Sequence, residues 1–216
     1  RLSGMLAKRL NRSRLEGGLE PEMQVTDGAQ LVRRALAQVQ SSAEEHALHT
    51  EVIVPDHKVL VECDQDRILQ VLDNLLENAI KFSPDGGDVR VEMQRLDARP
   101  EQIPPARWAA VRSQRQPSSV MWISVADSGP GIPDSEKERI FERFYQTPSG
   151  RAVRHRGVGL GLTICREIVA AHRGVIWVGD NPAGAGTVFN VLLPGAFRAS
   201  PEANMQSVQP SSSPSA

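Results

Sequence analysis

The stretch 64–87, DQDRILQVLDNLLENAIKFSPDGG, leaves little choice but a helix laid against other structure on one side and exposed to something polar on another. Asp64 is a candidate N-cap, and Ser-Pro-Asp-Gly-Gly at 83–87 is a strong stop. Ile68, Leu72, Leu75, Leu76 and Ala79 recur at helical spacing and form an apolar stripe that packs the helix onto a sheet. Asn74, Asn78 and Lys81 stand at i, i+4 and i+7, which return to nearly the same angle, so a polar stripe runs beside the apolar one. A carboxamide oxygen is a hard neutral ligand suited to magnesium, its NH₂ can donate to a phosphate oxygen, and lysine adds a point charge. The stripe therefore reads either as a solvated face or as the wall of a site for a magnesium-bound polyphosphate. These three residues alone leave both open.

Other segments supply the sheet. DVRVEMQRL (88–96) alternates as a half-buried strand does, VMWISVAD (120–127) reads as a more central one, and VIWVGD (175–180) and TVFNVLLP (187–194) as closing strands. TEVIVP (50–55) and VLVE (59–62), on either side of Pro55-Asp56, read as a strand pair. A helix is expected from Asp27, its N-cap, with Leu31, Val32, Ala35, Leu36 and Val39 on one face. Two more are expected at 134–144, as a short helix, and at 159–172. Residues 1–16 resemble the tail of an amphipathic helix that stops at Gly17-Gly18. The segment 97–119, rich in Pro, Arg and Gln, reads as a surface insertion with an exposed Trp108, and 145–156 as a polar, basic, mobile loop. The tail 198–216, ending in PSSSPSA, has the composition of disorder.

Two glycine-rich segments bear on the ligand. DSGPGIP (127–133) follows a strand directly, which puts Asp127 at the strand end and lets the backbone at Gly129 and Gly131 approach a ligand. A carboxylate there can accept from an exocyclic amine such as that of adenine, although Asp-Ser-Gly is also an ordinary turn. In RGVGLGLTICREIV (156–169), Gly157, Gly159 and Gly161 open a helix whose free N–H groups and positive dipole end suit an anion. No Lys-Ser or Lys-Thr follows as a Walker loop requires, and GxGxG is not the dinucleotide spacing. Arg151, Arg154, His155 and Arg156 just before it are placed either to reach phosphates or simply to be solvated.

Composition narrows the partners. The net charge of −1 gives no reason to expect nucleic acid or a polybasic membrane anchor, and any anionic ligand must be met locally. The two cysteines, Cys63 and Cys165, lack the spacing of a zinc site and imply a reducing compartment. No apolar run approaches the roughly 20 residues that span a bilayer, so a cytoplasmic location is expected, with a parent protein that can still be anchored in the inner membrane. The first residue is Arg1 rather than methionine, and an upstream segment is expected.

In order along the chain, the Asn-bearing helix, DSGPGIP, IFERFYQ (140–146), GVGLGLTICREIVAAHRG (157–174) and GAGT (184–187) resemble the N, G1, F, G2 and G3 boxes of sensor histidine kinase catalytic domains, members of the GHKL superfamily of ATPases and kinases. The resemblance covers roughly residues 27–195, and SRLEGG (13–18) is similar to the end of the dimerisation and phosphoacceptor domain that precedes this module, giving a stub at 1–20. It implies an α/β (α+β) two-layer sandwich, a mixed sheet with helices on one face, that binds ATP and Mg²⁺ beneath a lid at 145–161. On that pattern Asn78 is the magnesium ligand and Asn74 and Lys81 assist at the phosphates, both as catalytic groups. Phe82, Asp127, Gly129, Gly131, Ile132 and Thr187 line the adenine pocket, with Asp127 on the base amine. Gly157, Val158, Gly159, Leu160, Gly161 and Leu162 form the lid hinge and phosphate loop. Phe141 and Phe144 steady the lid, or are ordinary core residues. The implied partners are the upstream phosphoacceptor domain, a response regulator and, in the full-length protein, a second copy of the chain.

The family divides by chemistry at one position. Hydrolysing relatives of the gyrase, Hsp90 and MutL group carry a glutamate base four residues before the magnesium asparagine; here that residue is Asn74, which cannot take a proton. Glu77 is close in sequence but points elsewhere on the helix. Phosphoryl transfer to a histidine is thus favoured over hydrolysis. The pattern is incomplete in two places. None of His46, His49, His57, His155 and His172 sits in an acceptor-like context, His172 reading as structural, so the acceptor is expected upstream. The arginine that often follows the Phe-Tyr pair is replaced by Gln146, a role that Arg143 or a lid arginine can take over. Two rivals follow: a degenerate nucleotide-binding scaffold, and a related ATPase or serine kinase.

Overall fold

The computed structural model describes residues 20–113, 117, 119–147, 159–195 and 197–198. Their elements run β1 (Gln24–Asp27), α1 (Gly28–Glu45), β2 (His49–Ile53), β3 (Val59–Cys63), α2 (Gln65–Phe82), β4 (Asp88–Leu96), α3 (Pro105–Arg112), β5 (Val120–Asp127), a 3₁₀ turn (Arg139–Phe141), α4 (Gly161–Ala171), β6 (Val175–Asp180), β7 (Thr187–Pro194) and β8 (Phe197–Arg198). Asp27 caps α1 by accepting from Ala29 N at 3.1 Å, and Asp64 caps α2 by accepting from Arg67 N at 3.1 Å, as the sequence leads one to expect.

The main sheet has five strands in the order β2-β4-β5-β7-β6, with β2 and β4 parallel and the other pairs antiparallel. Its inner face carries Val89, Val91, Met93, Ile123, Val125, Phe189 and Val191, packed against the apolar stripes of α1, α2 and α4. In α2, Ile68, Leu72, Leu75, Leu76 and Ala79 are all at most 1% exposed, which confirms the stripe and leaves Asn74, Asn78 and Lys81 at its half-buried margin.

The strand pair expected at 50–55 and 59–62 does not form. β2 pairs parallel with β4, while β3 pairs antiparallel with β1 and β8 in a separate three-stranded sheet. The helix supplies the reason: α2 runs 18 residues, about 27 Å, and returns the chain to the starting end of β2, so β4 arrives parallel to it. Val59, Val61 and Cys63 are fully buried from the other sheet. The helix expected at 134–144 also shrinks, to turns and one 3₁₀ turn, because the adjacent Ile140 and Phe141 both enter the core and Phe144 then takes a left-handed φ of 64°.

The insertion is not an open loop. The outer sheet face carries Leu96, Val120, Trp122, Trp177 and Leu192, and 97–113 folds back over it, burying Ile103 and Val111 while the expected exposed Trp108 is half-buried on the same cluster. A sheet apolar on both faces needs cover on both. Helices thus lie on both faces, three on the inner and the short α3 on the outer. The expected helical stub at 1–20 lies, apart from Glu20, outside the described residues, as do the tail beyond Arg198 and positions 148–158 of the lid.

Candidate nucleotide site

β5 ends at Asp127 in a buried corner, 4% exposed. Its Oδ1 accepts from Gly129 N at 2.8 Å and Thr187 N at 3.1 Å, and its Oδ2 accepts from the Thr187 hydroxyl. These donors fix the plane of the carboxylate. Glycine is required around it. A Cβ on Gly129 would lie 2.8 Å from Asp127 Oδ1 and 3.0 Å from the Phe82 carbonyl oxygen, while one on Gly186 would lie 1.9 Å from the Asp127 carbonyl oxygen. The β5 end, the C-terminus of α2 and the β6–β7 turn therefore close on one another through bare backbone. Gly131, at φ 77°, faces Gly186, and Ile132 is half-buried against the core. Ser128, unremarked in the sequence, roots this loop: its hydroxyl accepts from Asp88 N at 3.0 Å and donates to Asp88 O at 3.1 Å.

The other end of the site lies along α2. Phe82 lies eight positions beyond Asn74, about 12 Å of helix. Asn74 donates through Nδ2 to Gln70 O at 2.9 Å and presents Oδ1 to Gly161, whose Cβ would sit 3.1 Å away. This brings the polar stripe to the first turn of α4. Leu160, at the N-cap of α4, makes no capping side-chain bond, and the opening N–H groups of such a helix suit an anion. Lys81 is half-buried with its ammonium 5.0 Å from the Phe82 ring, and burial holds its pKa below the ordinary lysine value. Asn78 is half-buried on the same stripe. A carboxylate corner, a helix length of about 12 Å and an uncapped helix start are what a purine base joined to a polyphosphate would need. The carboxamide oxygens of the stripe suit a hard cation such as magnesium, and its ammonium suits a phosphate.

Not every expected residue joins. Gly157 and Val158 lie outside the described residues, as do Arg151, Arg154, His155 and Arg156. Gly159 is no free hinge: its carbonyl accepts from Phe144 N at 2.9 Å, φ is 72°, and a Cβ would lie 2.9 Å from the Phe144 carbonyl carbon, so the two roots of the lid are pinned together. Leu160 and Leu162 are half-buried, Leu162 on the core. Phe141 is a core residue, edge-on to Phe189, whereas Phe144 is 67% exposed. Arg143 is held on the outer side of α4 by Glu167 at 2.8 Å, about 9 Å along that helix from Gly161, and so is not brought to the phosphate end. His172 is buried, with one ring nitrogen accepting from Asp64 N at 2.9 Å and the other donating to Ile168 O at 2.8 Å.

Comparison with known proteins identifies the family. The family described as histidine kinase-, DNA gyrase B-, and HSP90-like ATPase matches residues 63–196. The sensor histidine kinase WalK of Bacillus subtilis is 40% identical over 148 residues, which are 68% of this chain and 21% of WalK, so the chain spans about a fifth of that relative's length. Among solved structures, the mycobacterial sensor histidine kinase MprB superposes with a TM-score of 0.61 at 29% identity, covering 80% of this chain and 97% of that one. The histidine kinase ThkA, in a complex with the response regulator TrrA, gives 0.62 at 25% identity, with 89% and 48% covered. No helix among the described residues is long and apolar enough to cross a membrane. The chain belongs to the histidine kinase-, gyrase B- and HSP90-like ATPase family, as an ATP-binding catalytic domain of the sensor histidine kinase type.

Proposed function

We propose that residues 27–195 bind magnesium-ATP along α2 and transfer its γ-phosphate to a histidine upstream of this chain, in a protein that works as a homodimer and passes the phosphate to a response regulator. In this reading Asp127 accepts the adenine amine beside Thr187, Gly129 and Gly131; Asn78 holds magnesium; Asn74 and Lys81 lie at the phosphates with the first turn of α4. Magnesium, when bound, neutralises charge on the transferring phosphoryl group. One observation carries the choice of transfer over hydrolysis. The position of the general base is Asn74, whose amide donates to its own helix at Gln70 and cannot take a proton from water. Arg143 enters the reaction only if it leaves Glu167, and a lid arginine is the simpler partner for the terminal phosphate.

Calorimetric titration of the chain with a non-hydrolysable ATP analogue tests the site, with and without magnesium and in Asp127→Asn. The expected result is magnesium-dependent binding that weakens by roughly tenfold or more in the variant, as loss of a charge-assisted hydrogen bond requires. A folded chain that binds no analogue would instead be the degenerate scaffold.

A further inference from the structure

Asn181 belongs to none of the motifs that pointed to the site, yet all four of its polar groups are used beside it. Its N–H donates to Gly186 O at 3.2 Å, its C=O accepts from Gly184 N at 3.2 Å, and its Oδ1 accepts from Ala183 N at 2.9 Å, three bonds that close the turn between β6 and β7. The fourth group, Nδ2, leaves the turn and donates to the main-chain carbonyl of Asp127 at 2.8 Å.

That carbonyl needs such a donor. The β5–β7 ladder runs to Ala126–Val188, and at the next residue the Thr187 N–H goes to the Asp127 carboxylate rather than to its main chain. Gly186 packs so closely on the same oxygen that not even a methyl group fits, and Asp127 is buried. An unpaired carbonyl there would be a buried acceptor without a partner. The turn by itself does not require asparagine, since an aspartate or serine oxygen accepts from Ala183 N equally well. A carboxamide accepts within the turn through one atom and donates across to Asp127 through another, whereas an aspartate has no donor and a serine has a single hydroxyl for both tasks.

We propose that Asn181 is a positioning residue for nucleobase recognition: it fixes the Asp127 peptide and so aims the carboxylate at the exocyclic amine of adenine. The inference rests on the nucleotide reading above. It predicts an effect confined to ligands that carry the amine.

The test uses the 216-residue chain with Asn181→Asp, which keeps the turn acceptor and removes the donor, and Asn181→Ser, whose single uncharged hydroxyl keeps the turn acceptor but lacks the amide nitrogen that donates to Asp127. Affinities for ATP and for purine riboside triphosphate, its counterpart lacking the amine, are measured by competition against a fluorescent ATP analogue, with melting temperatures alongside. Both variants are expected to lose roughly tenfold in ATP affinity and to bind the amine-free nucleotide as the unmodified chain does, so that the preference for adenine narrows. Equal losses for both nucleotides, or a lowered melting temperature with unchanged affinities, would mean a purely structural role and overturn the inference. If the unmodified chain binds no nucleotide, the nucleotide reading falls and this falls with it; if it prefers ATP and the variants do so to the same degree, this inference alone is overturned.

Discussion

The half-buried Lys81 is the residue of the proposed phosphate site whose surroundings bear most directly on its charge. Its last turn of α2 favours a cation through the helix dipole, but burial beside Phe82 wins and lowers the pKa. A lysine that must be charged to meet a phosphate therefore loses its proton earlier on an alkaline titration than an exposed one. ATP affinity should be full at neutral pH and fall as pH rises through a midpoint below the usual lysine value. Lys81→Arg, whose guanidinium stays charged throughout, should abolish that fall. An identical alkaline loss in the arginine variant would remove Lys81 from the binding step. This residue was legible because its i+7 relation to Asn74 depends on helical periodicity alone. Asn181 was not, since its donor crosses from one turn to a strand end 54 residues away, and nothing in an Asn-Pro dipeptide says where that donor will point.

At the scale of elements, the apolar outer face of the main sheet carries a prediction that the site does not share. Ile103 is fully buried between the returning segment 97–113 and the sheet. Ile103→Ala should lower stability by about 2–5 kcal/mol through lost burial and a residual cavity. The three tryptophans, Trp108, Trp122 and Trp177, all belong to this cluster, so tryptophan fluorescence during urea unfolding reports it directly. ATP affinity should not change, because α2, Asp127 and α4 meet on the opposite face; a parallel loss of affinity would show that the two layers are coupled. The outer layer also marks where sequence reading stopped. Strands β4 to β7 and helices α1 and α2 were legible from period and capping, since each signal lies within one element. Whether Ile103 and Val111 find a sheet face to cover depends on a distant alternation in β5, β6 and β7. The separation of β2 from β3 likewise depends on where α2 returns the chain. Both are tertiary facts that no local pattern encodes.

For the whole chain, the positions of its histidines argue that the phosphate goes elsewhere. His172 has both ring nitrogens committed, to Asp64 N and Ile168 O, and is buried. His46, at the end of α1, pairs with Asp85 at 3.0 Å; Asp85 lies beyond Phe82, past the adenine corner and away from the Asn74–Gly161 end where the phosphates would sit. His49 is exposed in the edge strand β2 and His57 is exposed in the loop before β3, while His155 falls outside the described residues. None of the four described histidines is presented to the first turn of α4. Incubated alone with γ-labelled ATP, the chain should take up no acid-labile label and release little phosphate, because Asn74 supplies no base for water. If the proposed upstream phosphoacceptor is right, adding a separate polypeptide that carries it should move label onto that polypeptide, and Asp127→Asn should prevent it. Acid-labile label on the chain by itself would place an acceptor within these 216 residues, with the lid histidine the first to replace. Steady release of phosphate would return the domain to the hydrolysing branch of its family and require a base other than Asn74.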